Sequence, residues 1–436
     1  MTTLISMIGK GKVEKQQLKG YEKVAYSFEN GPTVTTSCST NAILKSGLYS
    51  IDKVVIIGTK TSAWAELLDD PSPAEEKVFF QLFDDCEREC PFNVKSELAQ
   101  DLRNLLEARW RVQRVSFVAT EAELTSQTAA VIYGEYVEKC LGAERKYILD
   151  VTHGLRWMPM FLTSAIRYKE MVEHGLDSMR LLYAEIGNNS KGFIRELDAL
   201  WNGQKTAEAM SLFFDKFDST MLVPRIPAEC CRLKEAMENF GNCMQANYLM
   251  PLVWDRDDKL GGDYPLGQTV KQLRNGITEV GRLPQPPNWL EAVASEMFQW
   301  VERLRQYTYP SERLLVLADM YAERGLWGQA VMALDVALSI FACEYFQPGQ
   351  YPDWEMTRSN LEMLKKSMKQ STGGLFHSLD KAVVDHVINL THIRNMIAHG
   401  NLNSAHDKNK TQKKPNLSKD YKIFQVALVS LFSYRN

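Results

Sequence analysis

Tyr147-Ile148-Leu149-Asp150-Val151-Thr152-His153-Gly154-Leu155-Arg156 decides the fold of the first half. An apolar run too short for a helix ends on a hydroxyl, an imidazole and a glycine. This is how a buried strand hands over to a tight turn. The pattern recurs upstream. Leu4–Ile8 ends in Gly9-Lys10-Gly11, and Val54-Val55-Ile56-Ile57 ends in Gly58-Thr59-Lys60-Thr61-Ser62. Val115–Ala119 and Leu181–Ala184 are two more short apolar runs. Strands of this kind, alternating with helical patterns, predict a Rossmann-like α/β domain whose parallel sheet is covered on both faces.

Ligands of open parallel sheets bind beyond the carboxyl ends of the strands. The loops 9–12, 58–62 and 152–156 are therefore expected on one edge. The candidate ligand-binding residues are Gly9, Lys10, Gly11, Gly58, Thr59, Lys60, Thr61, Ser62, Thr152, His153, Gly154 and Arg156. Glycine-freed N–H groups and hydroxyls suit phosphates. Lys10, Lys12, Lys60, His153 and Arg156 are expected to add positive charge. Trp64 reads as core. Gly9-Lys10-Gly11 has no third glycine at the right place, which disfavours a dinucleotide dehydrogenase. A mononucleotide-binding or ligand-free domain stays open at this point.

The second half changes period. Leu290, Val293, Ala294, Met297, Phe298, Val301 and Leu304 recur at helical spacing, as do Leu314, Leu317, Ala318 and Tyr321. Ala330, Leu334, Ala337, Leu338 and Phe341 mark another helix, and Gly325 makes a helical hairpin of the last two. Asp255–Gly267 and Arg282–Asn288 read as linkers. Asn401–Asp420 carries Lys408, Lys410, Lys413, Lys414 and Lys419 ahead of an apolar helix at Tyr421–Phe432. It reads as a solvated loop, with a contact to an RNA backbone as the sharper alternative.

The bulk numbers bound the class. The 436 residues suggest two or three domains, and 45% hydrophobic with 24% charged residues is an ordinary globular profile. A net charge of −3 argues against a protein that coats duplex nucleic acid, so any such contact should be local. The eight cysteines lack zinc-site spacing and are expected to be reduced thiols. No export signal and no unbroken apolar run of spanning length is visible, which predicts a cytoplasmic protein without membrane contact.

Ile388–Gly400 reads as the end of a helix, with Leu390, Ile393 and Ile397 on one stripe and Gly400 as its stop. His399 falls in the last turn, where the helix dipole favours imidazolium. Arg394 and His399 stand about 140° apart around one helix, so they share a face poorly within one copy. A two-fold axis could bring two pairs to one cleft. Histidine can move the proton of an attacking 2′-OH, arginine can stabilise the phosphoryl charge, and Asn395 could orient either group. A helix-capping histidine beside a surface arginine is the plainer alternative. His377, His386 and His392 have no metal-ligand spacing.

Arg394-Asn395-Met396-Ile397-Ala398-His399 resembles the R-polar-x3-H signature of HEPN ribonucleases. The N-terminal half resembles a CARF domain, the Rossmann-like sensor of type III CRISPR systems. Met7–Gly11 with the Tyr21–Phe28 stretch, Val55–Trp64 and Asp150–Arg156 carry that likeness, the last through its D-x-T-H-G-x-R turn. Thr33–Asn41 departs from the expected apolar-aromatic stretch. The resemblance implies a sensor domain at 1–205, a helical connection at 206–289 and an all-α ribonuclease domain at 290–436. It implies a metal-independent endoribonuclease of antiviral defence that cuts single-stranded RNA and takes no cofactor. Its activator would be a cyclic oligoadenylate, tetra-adenylate rather than hexa-adenylate. It would be a homodimer, sometimes assembled further. Arg394, Asn395 and His399 would be catalytic, with no metal. A non-nucleolytic sensor, a ring nuclease and a partner-controlled HEPN toxin are the alternatives.

Overall fold

The computed structural model describes residues 1–10, 13–14, 17–18, 21–29, 31–172, 176–187, 190–257, 264–370, 376, 379–398 and 416–435. Gly11, Lys12, His377, His399, Gly400 and the lysines between 401 and 415 lie outside the described residues. The chain forms two compact units, Met1–Gly203 and Gln204–Asn436.

In the first unit the strands are β1 (Thr2–Ile8), β2 (Val13–Glu14), β3 (Gln17–Leu18), β4 (Val24–Phe28), β5 (Thr33–Thr36), β6 (Lys53–Thr59), β7 (Arg114–Thr120), β8 (Lys146–Asp150), β9 (Ser178–Ile186) and β10 (Lys191–Glu196). The helices are α1 (Ser39–Ser46), α2 (Glu76–Glu87), α3 (Glu97–Trp110), α4 (Ser126–Glu135) and α5 (Trp157–Val172). The main sheet runs β5-β4-β10-β9-β8-β1-β6-β7.

The five apolar runs of the sequence are β1, β6, β7, β8 and β9, and they pair in parallel. The fully parallel sheet expected from the sequence is corrected to a mixed one. β10 returns antiparallel to β9, β4 pairs in parallel with β10, and β5 closes the edge antiparallel to β4. β5 and β10 are half-exposed, and β4 alternates buried with partly buried positions, so their sequences lack the continuous apolar run that betrays a doubly buried strand.

Alternation builds two cores. Leu4 and Ile8 pack with Val54 and Ile56 on one face, and Ile5 and Met7 pack with Val55 and Ile57 on the other. Each buried side chain contributes roughly 1.5–3 kcal/mol relative to exposure. Trp64 is buried, stacks on Phe92 at 4.4 Å and donates from Nε1 to Thr59 O. It is core, as the sequence suggested, and it opens the short 3-10 segment Trp64–Leu68.

After β1 the sheet grows through β6 and β7 on one side, then through β8 and β9 on the other. The strand order therefore reverses between β1 and β8. That switch point leaves a crevice beyond the carboxyl ends of these two strands.

The second unit is helical. Its elements are α6 (Asp198–Lys216, which begins in the first unit), α7 (Cys231–Gln245), α8 (Met250–Val253), α9 (Gln268–Val280), α10 (Asn288–Arg305), α11 (Pro310–Glu323), α12 (Trp327–Phe346), α13 (Trp354–Lys369), α14 (Lys381–Ala398) and α15 (Leu417–Phe432). One core runs from Ala209 to Phe432. Phe213, Phe217 and Phe240 surround Trp300 with ring centroids 5.6–5.7 Å away. Of the stretches expected as linkers, 282–287 is corrected to a loop inside this unit, and the described ends of the other, 255–257 and 264–267, also belong to it. Proline and glycine mark a break between helices there, not between domains. Gly325, at φ +69°, ends α11 and starts the expected hairpin with α12. α12 is long and apolar enough to cross a membrane, and most of it is buried in the unit, as a core helix is.

Candidate functional site

The crevice at the switch point is organised by Asp150, the last residue of β8, which is fully buried. Register places Ser6 beside it on β1. Oδ2 accepts from Ser6 Oγ at 2.7 Å and from Ser39 Oγ at 2.6 Å. Oδ1 accepts from Thr152 N at 3.1 Å and Thr152 Oγ1 at 2.6 Å. One carboxylate thus ties β1, β8, the turn after β8 and the start of α1. Four donors offset what burial of the charge costs. Ser6 Oγ also lies 2.6 Å from Thr40 Oγ1, which adds a second link to α1.

His153 follows in that turn. Its Nε2 accepts the backbone N–H of Ser39 at 3.4 Å, and its ring stacks on Tyr21 at 4.8 Å. Tyr21 Oη accepts the N–H of Gly9 at 2.6 Å, so the ring pair bridges the loops after β1 and β8. Burial lowers the His153 pKa below its usual 6.5, against the pull of Asp150. The imidazole is therefore neutral near pH 7 and acts as an acceptor at Nε2. This corrects the expectation that it adds positive charge. Gly154 holds φ +92°, and a Cβ on it would lie 3.1 Å from Met7 Cβ. A Cβ on Gly9 would lie 3.5 Å from Gly154 N, so the two glycine loops touch.

The loop after β6 closes the third side. Ser62 Oγ accepts from Thr59 N at 2.8 Å and donates to Ile8 O at 3.0 Å, while Ala63 N donates to Gly9 O at 2.9 Å. Thr59 and Ser62 are buried, so their hydroxyls knit loops together. Gly58 has the same structural role, since a Cβ there would lie 2.8 Å from both Ile8 and Trp64. Lys60 pairs with Glu121 and Lys10 with Glu89, both at the surface, where such pairs are weak and open readily. Thr61 is half-buried, and Arg156 is exposed with no ion pair among the described residues. Gly11 lies outside the described residues.

The structure brings the sequence-named loops to one edge and adds residues the sequence reading passed over. Ser6, Ser39 and Thr40 were missed, and Thr33–Asn41 was noted only as a departure. The signal was available. Ser37-Cys38-Ser39-Thr40-Asn41 is a hydroxyl-rich run of the kind that starts helices, and α1 begins at Ser39.

In the second unit, α14 presents Arg394. Leu390 is fully buried, and Ile393 and Ile397 pack against the core, as the stripe predicted. Arg394 Nε donates to Asp335 Oδ2 at 3.0 Å, and Thr391 Oγ1 donates to Asp335 Oδ1 at 2.9 Å. Asp335 sits on α12 and is buried, while a third of the Arg394 side chain stays exposed. Arg394 Nη1 also donates to Asn395 Oδ1 at 2.9 Å. One face of the guanidinium is thus fixed and the rest is open to a ligand. His399 lies outside the described residues.

Residues 3–179 match the family described as the CARF domain of the CRISPR system endoribonuclease Csx1. No curated protein sequence matches the chain. Among solved structures, the chain is similar to Enterococcus italicus Csm6 bound to cyclic hexa-2′-fluoro-hexa-dAMP. The identity is 12%, 99% of this chain and 93% of that chain are covered, and the TM-score is 0.39. The first unit, over residues 3–179, is thus similar to that CARF domain.

Proposed function

We propose that this chain, with a Csx1-type CARF domain in its first half, is a cyclic-oligoadenylate-activated endoribonuclease of type III CRISPR defence. The observation that carries the reading is the match of residues 3–179 to that domain. The site geometry supports it. Gly9, His153, Gly154, Tyr21 and the amide start of α1 surround the crevice between β1 and β8, and Lys10, Lys60, Thr61 and Arg156 stand on the loops that follow β1, β6 and β8. A ring of repeated adenylates offers several phosphates and adenine faces to such an edge. In a homodimer the edge is presented twice, which suits a ligand with rotational symmetry.

The ribonuclease centre is Arg394, Asn395 and His399. The 2′-oxygen bonds to the adjacent phosphorus as the bond to the 5′-oxygen of the next nucleotide breaks, leaving a 2′,3′-cyclic phosphate and a 5′-hydroxyl. His399 moves the proton lost by the 2′-OH toward the departing 5′-oxygen, and Arg394 stabilises charge on the phosphoryl oxygens. No step requires a metal ion. The substrate is single-stranded RNA, which can reach the in-line geometry that a duplex resists. Asp335 holds Arg394, and activator binding shifts two such pairs across the dimer axis into register. The activator is cyclic tetra-adenylate in preference to hexa-adenylate, and the protein acts in the cytoplasm.

The test is cleavage of labelled single-stranded RNA in EDTA, with cyclic tetra-adenylate or hexa-adenylate added in turn. Wild type should cut only with an activator, and Arg394→Ala and His399→Ala should each lose about 10²–10³-fold. Cutting without any cyclic nucleotide, or unaltered cutting by both variants, overturns the reading.

A further inference from the structure

We propose that a cavity in the helical unit, bounded by α9, the end of α10 and the start of α11, binds a phosphate group. Its source is either the RNA backbone or a free nucleoside triphosphate. The cavity has a volume of about 410 Å³ and is lined by Leu266, Lys271, Arg274, Asn275, Arg305 and Arg313. Four of these six residues carry positive charge.

Arg313 is the centre of the case. It is buried, and among the described residues every hydrogen bond it makes goes to a backbone carbonyl. Nε donates to Tyr307 O at 3.0 Å, Nη1 to Val253 O at 2.6 Å and Pro265 O at 3.2 Å, and Nη2 to Tyr264 O at 3.1 Å. Carbonyls satisfy the N–H groups but carry no full negative charge. Glu344 and Glu312 act on Arg313 only at longer range. Glu344 already accepts from Ser311 N at 2.9 Å and Arg435 Nη2 at 2.7 Å. Glu312 faces Arg435 at 3.4 Å. Burial pulls the Arg313 pKa down to about 10, as expected for a cation short of a counter-ion.

The rim repeats the imbalance. Arg274 makes no hydrogen bond or ion pair among the described residues. Among the described residues Arg305 has one surface partner, Glu302, at 2.6 Å. Such a pair contributes little and yields to a better anion. Lys271 engages Asp255 at 3.3 Å, which removes that carboxylate as a partner for the arginines. Guanidinium groups present forked donors that match phosphate oxygens. An anion entering here supplies the charge that Arg313 lacks. The pocket is separate from Arg394, and only its RNA source rests on the ribonuclease reading.

The experiment uses the full chain and the double variant Arg274→Ala/Arg305→Ala. Both side chains are exposed, so the fold should persist, checked by circular dichroism and thermal unfolding. Binding of a fluorescein-labelled single-stranded RNA oligonucleotide and of ATP is measured over a series of salt concentrations. With the RNA backbone as ligand, the variant loses affinity about tenfold. Its plot of log affinity against log salt flattens by roughly 1.4, two contacts at about 0.7 each. Loss of ATP binding with RNA binding intact supports the phosphate site and assigns it to free nucleotide. Unchanged binding of both overturns the proposal. Cutting is scored in parallel. Pocket-dependent RNA binding without activator-dependent cutting removes the ribonuclease reading and leaves the pocket standing.

Discussion

Arg394 and Asp335 stand 59 positions apart on α14 and α12, and Nε of the first donates to Oδ2 of the second at 3.0 Å. The carboxylate is almost wholly buried while the guanidinium is partly open, so under the proposed function Asp335 is the positioning residue and Arg394 the group that meets the substrate. Thr391 occupies the other carboxylate oxygen, which fixes the fork.

Asp335→Asn should keep the fold and loosen Arg394, because one acceptor becomes a donor facing Nε–H. RNA cleavage should fall on the order of tenfold, equivalent to ~1.4 kcal/mol in the barrier. The loss should appear in kcat, with activator affinity unchanged. Asp335→Asn placed on Arg394→Ala should cost nothing further, since the two act as one unit. Additive losses in that cycle would remove Asp335 from the positioning role.

His153 enters the crevice as neutral imidazole. Its pKa is lowered by burial, so charging it opposes the folded geometry, and that penalty grows as pH falls below its usual 6.5. Activator affinity, measured calorimetrically, should stay flat between pH ~6.5 and ~8. Affinity that climbs on acidification through this window, and no longer climbs in His153→Gln, would mean an imidazolium contacts the ligand.

Gly154→Ala combines a positive φ with a Cβ placed 3.1 Å from both Met7 Cβ and Met158 Sδ. A non-glycine residue in that backbone region costs about 1–3 kcal/mol before any clash. Thermal unfolding of the first unit should shift down, and activator affinity should fall with it. An unaltered melting temperature would show that the turn relaxes freely.

Burial pushes the Glu66 carboxyl up from 4.5 to about 7. Its folded form therefore binds a proton that the unfolded chain has lost. Stability drops as pH rises between 4.5 and 7 and levels off above. Glu66→Gln stays neutral throughout. It should match wild type near pH 4 and exceed it near pH 8 by on the order of 1–2 kcal/mol in denaturant titrations. Glu344, also raised to about 7 by burial, contributes the same slope to both proteins and cancels in the difference. A variant less stable at both pH values would mean that the hydrogen bonds of Glu66 matter more than its desolvation.

Local pattern determined much of this protein. The five apolar strands, the glycine turns behind them, the helical second half and the α14 stripe are periodic features within about ten residues of chain, and all were legible. The sequence could not show β4, β5 and β10, because partly buried strands dilute the apolar signal. It also could not show which polar groups meet. Ser6 reaches Asp150 across 144 positions, Ser39 reaches it across 111, and Thr391 and Arg394 find Asp335 across more than fifty. Charge misled for the same reason. Lys10 and Lys60 read as free cations until the fold set Glu89 and Glu121 beside them, and His153 until the fold buried it. Periodicity is written along the chain, whereas desolvation and pairing arise only when distant segments share one volume. That is why the edge of the sheet was predictable and its electrostatics were not.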